Sequence, residues 1–140
     1  MEKTKSQTKG LWLVILILAL IIGFKFQTIV LSPNSFIPER GLDAFRSYMA
    51  ASYHITHDST YSFYTGMNYP YGDRNDFTDN LPVLTNSVKF ISQNFVDLTP
   101  WFMGIWNYFL LGSLLLTGVF LYLIFRQLKL PLWYLSLIHI

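Results

Sequence analysis

The residues of this chain best suited to chemistry lie between two apolar runs. Asp43 stands three residues ahead of Arg46, a spacing that lets a carboxylate and a guanidinium meet on one helix face. His54 and His57 repeat that spacing, with Asp58 behind them. Imidazoles one helical turn apart can share a metal ion. Asp73, Asp76 and Asp79 then recur every third residue, and carboxylate oxygens in such a series can hold a hard divalent cation.

Each group also has a plainer account. Asp43 can simply place a negative charge at the start of its helix, favourable against the dipole, and pair with Arg46; on spacing alone this is the better bet. The histidines can line a solvated helix face, since no third ligand stands at a diagnostic spacing. The aspartate series lacks the glycine and distal glutamate of an EF-hand loop, and turn and cap roles explain most of it. Asp79 is the most interesting of the three, because it sits between Thr78 and Asn80 just before Leu81-Pro82. No Walker loop, GxSxG, HExxH or GxGxxG occurs, so soluble nucleotide enzymes and the familiar hydrolases get no support.

Local elements must position these side chains. Periodicity predicts an amphipathic helix over residues 42–57. Asp43, Arg46, Ala50, His54 and His57 fall on one face, and Leu42, Phe45, Met49 and Ser52 roughly opposite. The expected picture is a helix lying along a membrane interface with its apolar face down. Residues 61–66 alternate and read as strand-like. Met67-Asn68-Tyr69-Pro70-Tyr71-Gly72-Asp73 is turn chemistry, with Pro70 fixing φ and Gly72 free to take positive φ. Residues 83–96 predict a second helix, with Leu84, Val88, Ile91 and Phe95 on one stripe.

These elements sit inside a membrane-type composition. The 140 residues are 52% hydrophobic and only 13% charged, against ~25% charged in soluble domains. Net charge is +2, which gives no reason to propose nucleic acid as a partner. There is no cysteine, which excludes disulfides and thiolate metal sites and leaves the redox compartment undetermined.

Two transmembrane helices are expected, over residues 11–31 and 101–125, flanking an external loop of residues 32–100. The first must carry Lys25 to reach ~31 Å, with its ammonium either snorkelling to the interface or facing the protein interior. A cleavable signal peptide is the rival for this segment, but no A-x-A-like site follows it. In the second, Gly104, Gly112 and Gly118 are candidate packing notches. Lys3, Lys5 and Lys9 before the first span, and Arg126 and Lys129 after the second, read as cytoplasmic. The loop carries seven of the eight acids and is placed outside. Residues 130–140 begin a third apolar segment about half the length a span needs, so the chain reads as an N-terminal piece of a larger polytopic protein. The fold class expected is therefore an all-α membrane protein: a basic tail over residues 1–10, two spans around an external loop, and a cytoplasmic turn with a truncated third segment over residues 126–140.

The order of these motifs resembles the membrane-embedded GT-C glycosyltransferases, oligosaccharyltransferase catalytic subunits and related bacterial membrane proteins above all. The likeness is carried by Asp43-Ala44-Phe45-Arg46-Ser47-Tyr48 soon after the first span, by Asn68-Tyr69-Pro70-Tyr71-Gly72, and by Thr78-Asp79-Asn80-Leu81-Pro82. It covers roughly residues 10–125, on short motifs of moderate specificity. The resemblance implies a polyprenyl-phosphate-linked sugar donor used on the periplasmic side of a bacterial inner membrane, with the amino terminus cytoplasmic. It further implies a divalent metal, Mg or Mn, held partly by Asp43, with Asp79, His54 and His57 as weaker candidates and Arg46, Tyr69 and Tyr71 against substrate. Ala44 departs from the proline usual after that aspartate, and the family's later external loops, with their further ligands, have no counterpart in these residues. The alternatives are a non-catalytic membrane-anchored scaffold and a transporter of a lipid-linked substrate.

Overall fold

The structure, a computed structural model, describes residues 2–35 and 42–128. The expected third apolar segment, residues 130–140, lies outside them. The described chain is mostly helical and divides into two units. One comprises the segments up to Val30 and from Phe109 onward; the other is Leu31–Tyr108.

In the first unit, α1 (Glu2–Lys25) is followed after Phe26 by the short α2 (Gln27–Leu31). The hydrogen-bond ladder runs through the join: the Phe26 amide donates to the Ile22 carbonyl at 2.8 Å, and the Val30 amide to the Phe26 carbonyl at 3.0 Å. The later part of α5 (Phe102–Gln127) belongs to the same unit. With its leading turn, Thr99–Gln127 is the one described helix long and apolar enough to cross a membrane, and only 6% of its most apolar window is buried. That exposure separates it from the core helix of a soluble protein. The apolar helix Gly10–Lys25 falls short of the same length, so of the two expected spans only the second meets the test by itself.

Small residues mark where helices in this unit approach closely. A Cβ on Gly10 would stand 2.7 Å from the buried Tyr122 hydroxyl oxygen, and one on Gly118 would stand 2.6 Å from Leu18. Of the anticipated notches, Gly112 has open space and Gly118 is engaged. The amide of Gly104, in the second unit, donates to Asn34 Oδ1 at 2.7 Å.

The second unit contains α3 (Leu42–His57), a two-stranded pairing, α4 (Pro82–Asn94) and the first turns of α5. Pro82 opens α4, its fixed φ suited to a first helical turn, while Leu81 before it takes φ +50°. Strands β1 (Phe63–Tyr64) and β2 (Asp73–Arg74) pair antiparallel, Phe63 opposite Arg74 and Tyr64 opposite Asp73. The unit is therefore not purely α as expected. Between the strands, Gly72 at φ +70° closes the turn, where a Cβ would meet the Phe63 ring. Ahead of α5, the Thr99 hydroxyl and amide hydrogen-bond to Asp97 and hold its carboxyl below the ordinary range.

The apolar core gathers Ala51 and Ile55 of α3, Val88 of α4, and Phe102 and Trp106 of α5, with Tyr48, Leu84 and Ile105 packed on it. This corrects the expected orientation of α3. Its inward stripe is the buried Ala51, His54 and Ile55 with the half-buried Tyr48, continued by the buried Asp58 just past the helix end, whereas Phe45 and Met49 are exposed. His54 turns inward because α4 offers it a polar partner, so a stripe scored on side-chain polarity alone is rotated. On α4, Leu84, Val88 and Ile91 do face inward, while Phe95 lies past the helix end and is exposed.

Candidate functional site

Asp43, Arg46 and Asp79 meet in one cleft of about 430 Å³ in the second unit, a size within the range of small-molecule sites. Helix α3 forms one wall. Asp43 lies in its first turn, where backbone N–H groups and the dipole favour a negative charge. Arg46 Nη1 is 4.0 Å from Asp43 Oδ1, and both side chains are largely solvated, so the pair contributes only about 0–1 kcal/mol to stability. Its value is orientation: two opposite charges stand side by side on the cleft lining. The facing wall is the turn of Phe77, Thr78 and Asp79. Tyr53, Tyr64 and Met67 add aromatic and thioether surface to the lining.

The remaining sequence-predicted residues fall elsewhere. Tyr69 and Tyr71 project from the turn at 91% and 79% exposure and do not line the cleft, although Met67 of the same turn does. The two histidines do not converge on a common ligand. His57 is exposed, stacked on Tyr53 with ring centroids 4.5 Å apart, and its Nδ1 lies 2.6 Å from the Thr56 hydroxyl. His54 is fully buried rather than solvated as expected. Both of its nitrogens are engaged, Nδ1 with Asp58 Oδ2 at 2.6 Å and Nε2 with Asn86 Oδ1 at 3.1 Å. A metal at His54 would have to displace one of these bonds. Asp73 accepts from the Arg74 amide at 2.7 Å, and Asp76 from the Arg74 guanidinium at 2.5 Å. The aspartate series is thus dispersed over turn roles, leaving Asp79 alone of the three on the cleft.

Among the described residues no three His, Asp or Glu side chains gather as a metal-binding group. Asp43 and Asp79 are the two carboxylates on the cleft lining, fewer than the six or more oxygen ligands a divalent cation takes.

A buried polar network that sequence reasoning missed supports the cleft. Asp58 Oδ1 accepts from both the amide and hydroxyl of Thr65, at 3.1 and 2.5 Å, which ties the end of α3 to the chain after β1. Asn86 Nδ2 donates to the Tyr61 carbonyl at 3.0 Å, which fixes its amide so that Oδ1 faces His54. Asn75, fully buried, is the hub of the loop that carries Asp79. It accepts from the Thr78 hydroxyl and from Asn80 Nδ2, and Thr85 in turn donates to the Asn80 carbonyl. The one available signal was the density of Asn and Thr between residues 75 and 86, which is also the signature of an ordinary turn.

Lys89 closes the network. It is fully buried, donates to the Thr60 carbonyl at 2.5 Å and lies over the Tyr61 ring at 5.4 Å. Burial pulls its ammonium below the ordinary 10.5, and the Asp58 charge opposes that shift. A base with a lowered folded pKa binds fewer protons folded than unfolded, so its cost shrinks as pH rises toward 10.5. The natural chain should gain stability over that alkaline window relative to Lys89→Met. In detergent-solubilised protein the melting difference, variant minus natural, should fall between pH 7 and 9.5. The Tyr48 and Tyr64 phenols, pushed up by burial, titrate alike in both chains and cancel. A difference that stays flat or grows would show that Lys89 is not desolvated. No protein-family model, curated protein or solved structure matches this chain.

Proposed function

We propose that this chain is part of a multi-pass inner-membrane glycosyltransferase of GT-C type, with residues 11–31 and 101–125 spanning the membrane, the amino terminus cytoplasmic and the cleft periplasmic. The reaction is transfer of a sugar from a polyprenyl-phosphate donor to an acceptor. The observation that carries the reading is the meeting of Asp43, Arg46 and Asp79 in one cleft. The resemblance singles out Asp43 and Asp79 on separate motifs, thirty-six residues apart.

In this reading the cleft is one wall of a larger site. An exposed carboxylate at the start of α3 is placed to accept a proton from an acceptor hydroxyl or amide as it attacks the anomeric carbon. The bond from that carbon to the donor phosphate breaks as the new one forms. Asp79 faces the same space and holds the acceptor against Asp43, while Arg46 keeps Asp43 oriented.

The test uses the complete reading frame in native membranes, with a radiolabelled polyprenyl-phosphate hexose. Asp43→Ala should lower transfer by roughly 10²–10⁴-fold, the range for loss of a positioned general base. Because Asp43 is solvated and pairs only at the surface, insertion and protein level should not change. Transfer retained within a few-fold would sink the catalytic role. It would favour the second reading, a non-catalytic scaffold or a lipid-linked-substrate transporter.

A further inference from the structure

Helix α4 presents its residues the opposite way round from a helix facing water. Its one charged residue, Lys89, is turned inward and fully buried, while Phe90 beside it is exposed and Val83 is 84% exposed. Val83, Ser87, Phe90 and Asn94 fall on one outward stripe. Past the helix end the exposed Phe95 meets the Phe90 ring edge-on at 6.0 Å, with the exposed Val96 next to it. None of these side chains carries a charge.

The polar side chains of α4 are engaged within the protein. On the outward stripe, the Ser87 hydroxyl donates to the Val83 carbonyl at 2.7 Å and the Asn94 amide to the Phe90 carbonyl at 2.8 Å. Donors returned to their own helix lower the cost of entering surroundings poor in water. At the flank, Gln93 accepts from the Tyr61 hydroxyl at 2.9 Å and Asn86 donates to the Tyr61 carbonyl. Ser92 accepts from the Leu98 amide at 3.1 Å.

Chain connectivity says what covers the stripe. Only Asp97 and Leu98 separate Val96 from Thr99–Gln127, the helix long and apolar enough to cross a membrane. Three residue steps reach at most about 11 Å. At 29 residues that helix is about 43 Å long, the thickness of a bilayer with its headgroups rather than of its ~30 Å hydrocarbon core. Placed across a bilayer, its start stands among the headgroups, with the exposed Trp101 in the aromatic belt. Phe95 and Val96 are tethered near that level. The exposed Asp97 carboxylate suits the headgroup region and not the acyl core.

We propose that the outward stripe of α4, continued by Phe95 and Val96, rests in the headgroup–acyl boundary of the membrane that Thr99–Gln127 crosses, so that α4 is held between protein core and lipid. With no lysine or arginine on the stripe, the contact does not require anionic lipid. The interfacial role expected of α3 passes to α4, because α3 exposes Asp43 and Arg46 instead. The inference rests on the membrane-spanning part of the reading above and not on sugar transfer.

The chain has no cysteine, so single nitroxide labels can be placed at Val83→Cys, Phe90→Cys and Leu116→Cys, with Asp76→Cys as an aqueous reference. All four positions are exposed. Ser87→Cys, on the same stripe, is the second label should Phe90→Cys disturb folding. Power-saturation electron paramagnetic resonance on the full chain in phosphatidylcholine nanodiscs compares collisions with oxygen, which concentrates in lipid, and with a water-soluble nickel chelate. The labels at Val83 and Phe90 should favour oxygen over nickel relative to the label at Asp76, at a depth of roughly 5–10 Å. Adding phosphatidylglycerol should leave that depth unchanged, and the label at Leu116 should lie deeper.

Nickel access at Val83 and Phe90 equal to that at Asp76, with the label at Leu116 in lipid, overturns the contact and leaves the span standing. Low access to both reagents shows another protein segment on the stripe and also overturns it. Depth that appears only with phosphatidylglycerol overturns an uncharged contact. A label at Leu116 open to nickel sinks the span and the contact together.

Discussion

Asp58→Ala should cost the Leu31–Tyr108 unit about 1–3 kcal/mol, the penalty for leaving a buried hydrogen-bonding group without its partner. In a domain of this size each kcal/mol moves the midpoint by about 4–8 °C, so the melt should drop by at least about 4 °C or lose cooperativity. Asp58 sits one residue beyond α3, and its side chain makes three hydrogen bonds: one to His54 and two to Thr65. Removing it leaves Nδ1 of the fully buried His54 without its partner, and frees the amide and hydroxyl of the exposed Thr65.

His54 cannot readily compensate. Its Nε2 faces Asn86 Oδ1, and Asn86 cannot turn without giving up its bond to the Tyr61 carbonyl. A double-mutant cycle with His54→Ala measures the coupling directly. The double variant should be less destabilised than the sum of the singles, because neither partner is then left without the other. Additive losses, or a melt within 2 °C of the natural chain for Asp58→Ala, would show that this pair does not hold the unit together.

This network explains which features were legible in the sequence. Features set by neighbours along the chain were readable. The stripe of Leu84, Val88 and Ile91 marked α4, and Asn68 to Gly72 marked a turn in which the Tyr71 and Gly72 amides both donate to the Asn68 carbonyl, at 2.9 and 3.1 Å. The Asp43–Arg46 pair followed from helical spacing alone.

Features set by distant partners were not readable. His54 meets Asn86 thirty-two residues on, and Lys89 reaches back twenty-nine to Thr60. No local pattern shows that a histidine, an aspartate and a lysine will be buried together, since each alone scores as surface. The rotation of α3 follows from the same cause, and it leaves Phe45 and Met49 on the cleft side. The cleft was half legible: Asp43, Arg46 and Asp79 stood out as chemistry, but nothing in their spacing brought Asp79 to the wall opposite α3.

Phe102→Ala should be the most damaging apolar substitution, at about 3–5 kcal/mol. Phe102 is 1% exposed at the first position of α5. It stacks on Tyr48 of α3 with centroids 5.5 Å apart, and meets Trp106 edge-on at 5.8 Å. Trp106 in turn meets Tyr48 edge-on at 6.3 Å, so three rings from two helices close a triangle. Such pairs contribute about 0.5–1.5 kcal/mol each beyond the area they bury. The residues just beyond are the apolar turns of the helix long enough to cross a membrane. Phe102 therefore joins two demands on one helix: packing in its first turns and the hydrophobic run that follows. The second demand does not depend on the first. Phe102→Ala should loosen amides of α3 and α4 to hydrogen exchange while leaving those of residues 112–124 protected. Equal loosening along all of α5 would show that its later turns depend on the core, and no change in α3 would show that the triangle is not what anchors that helix.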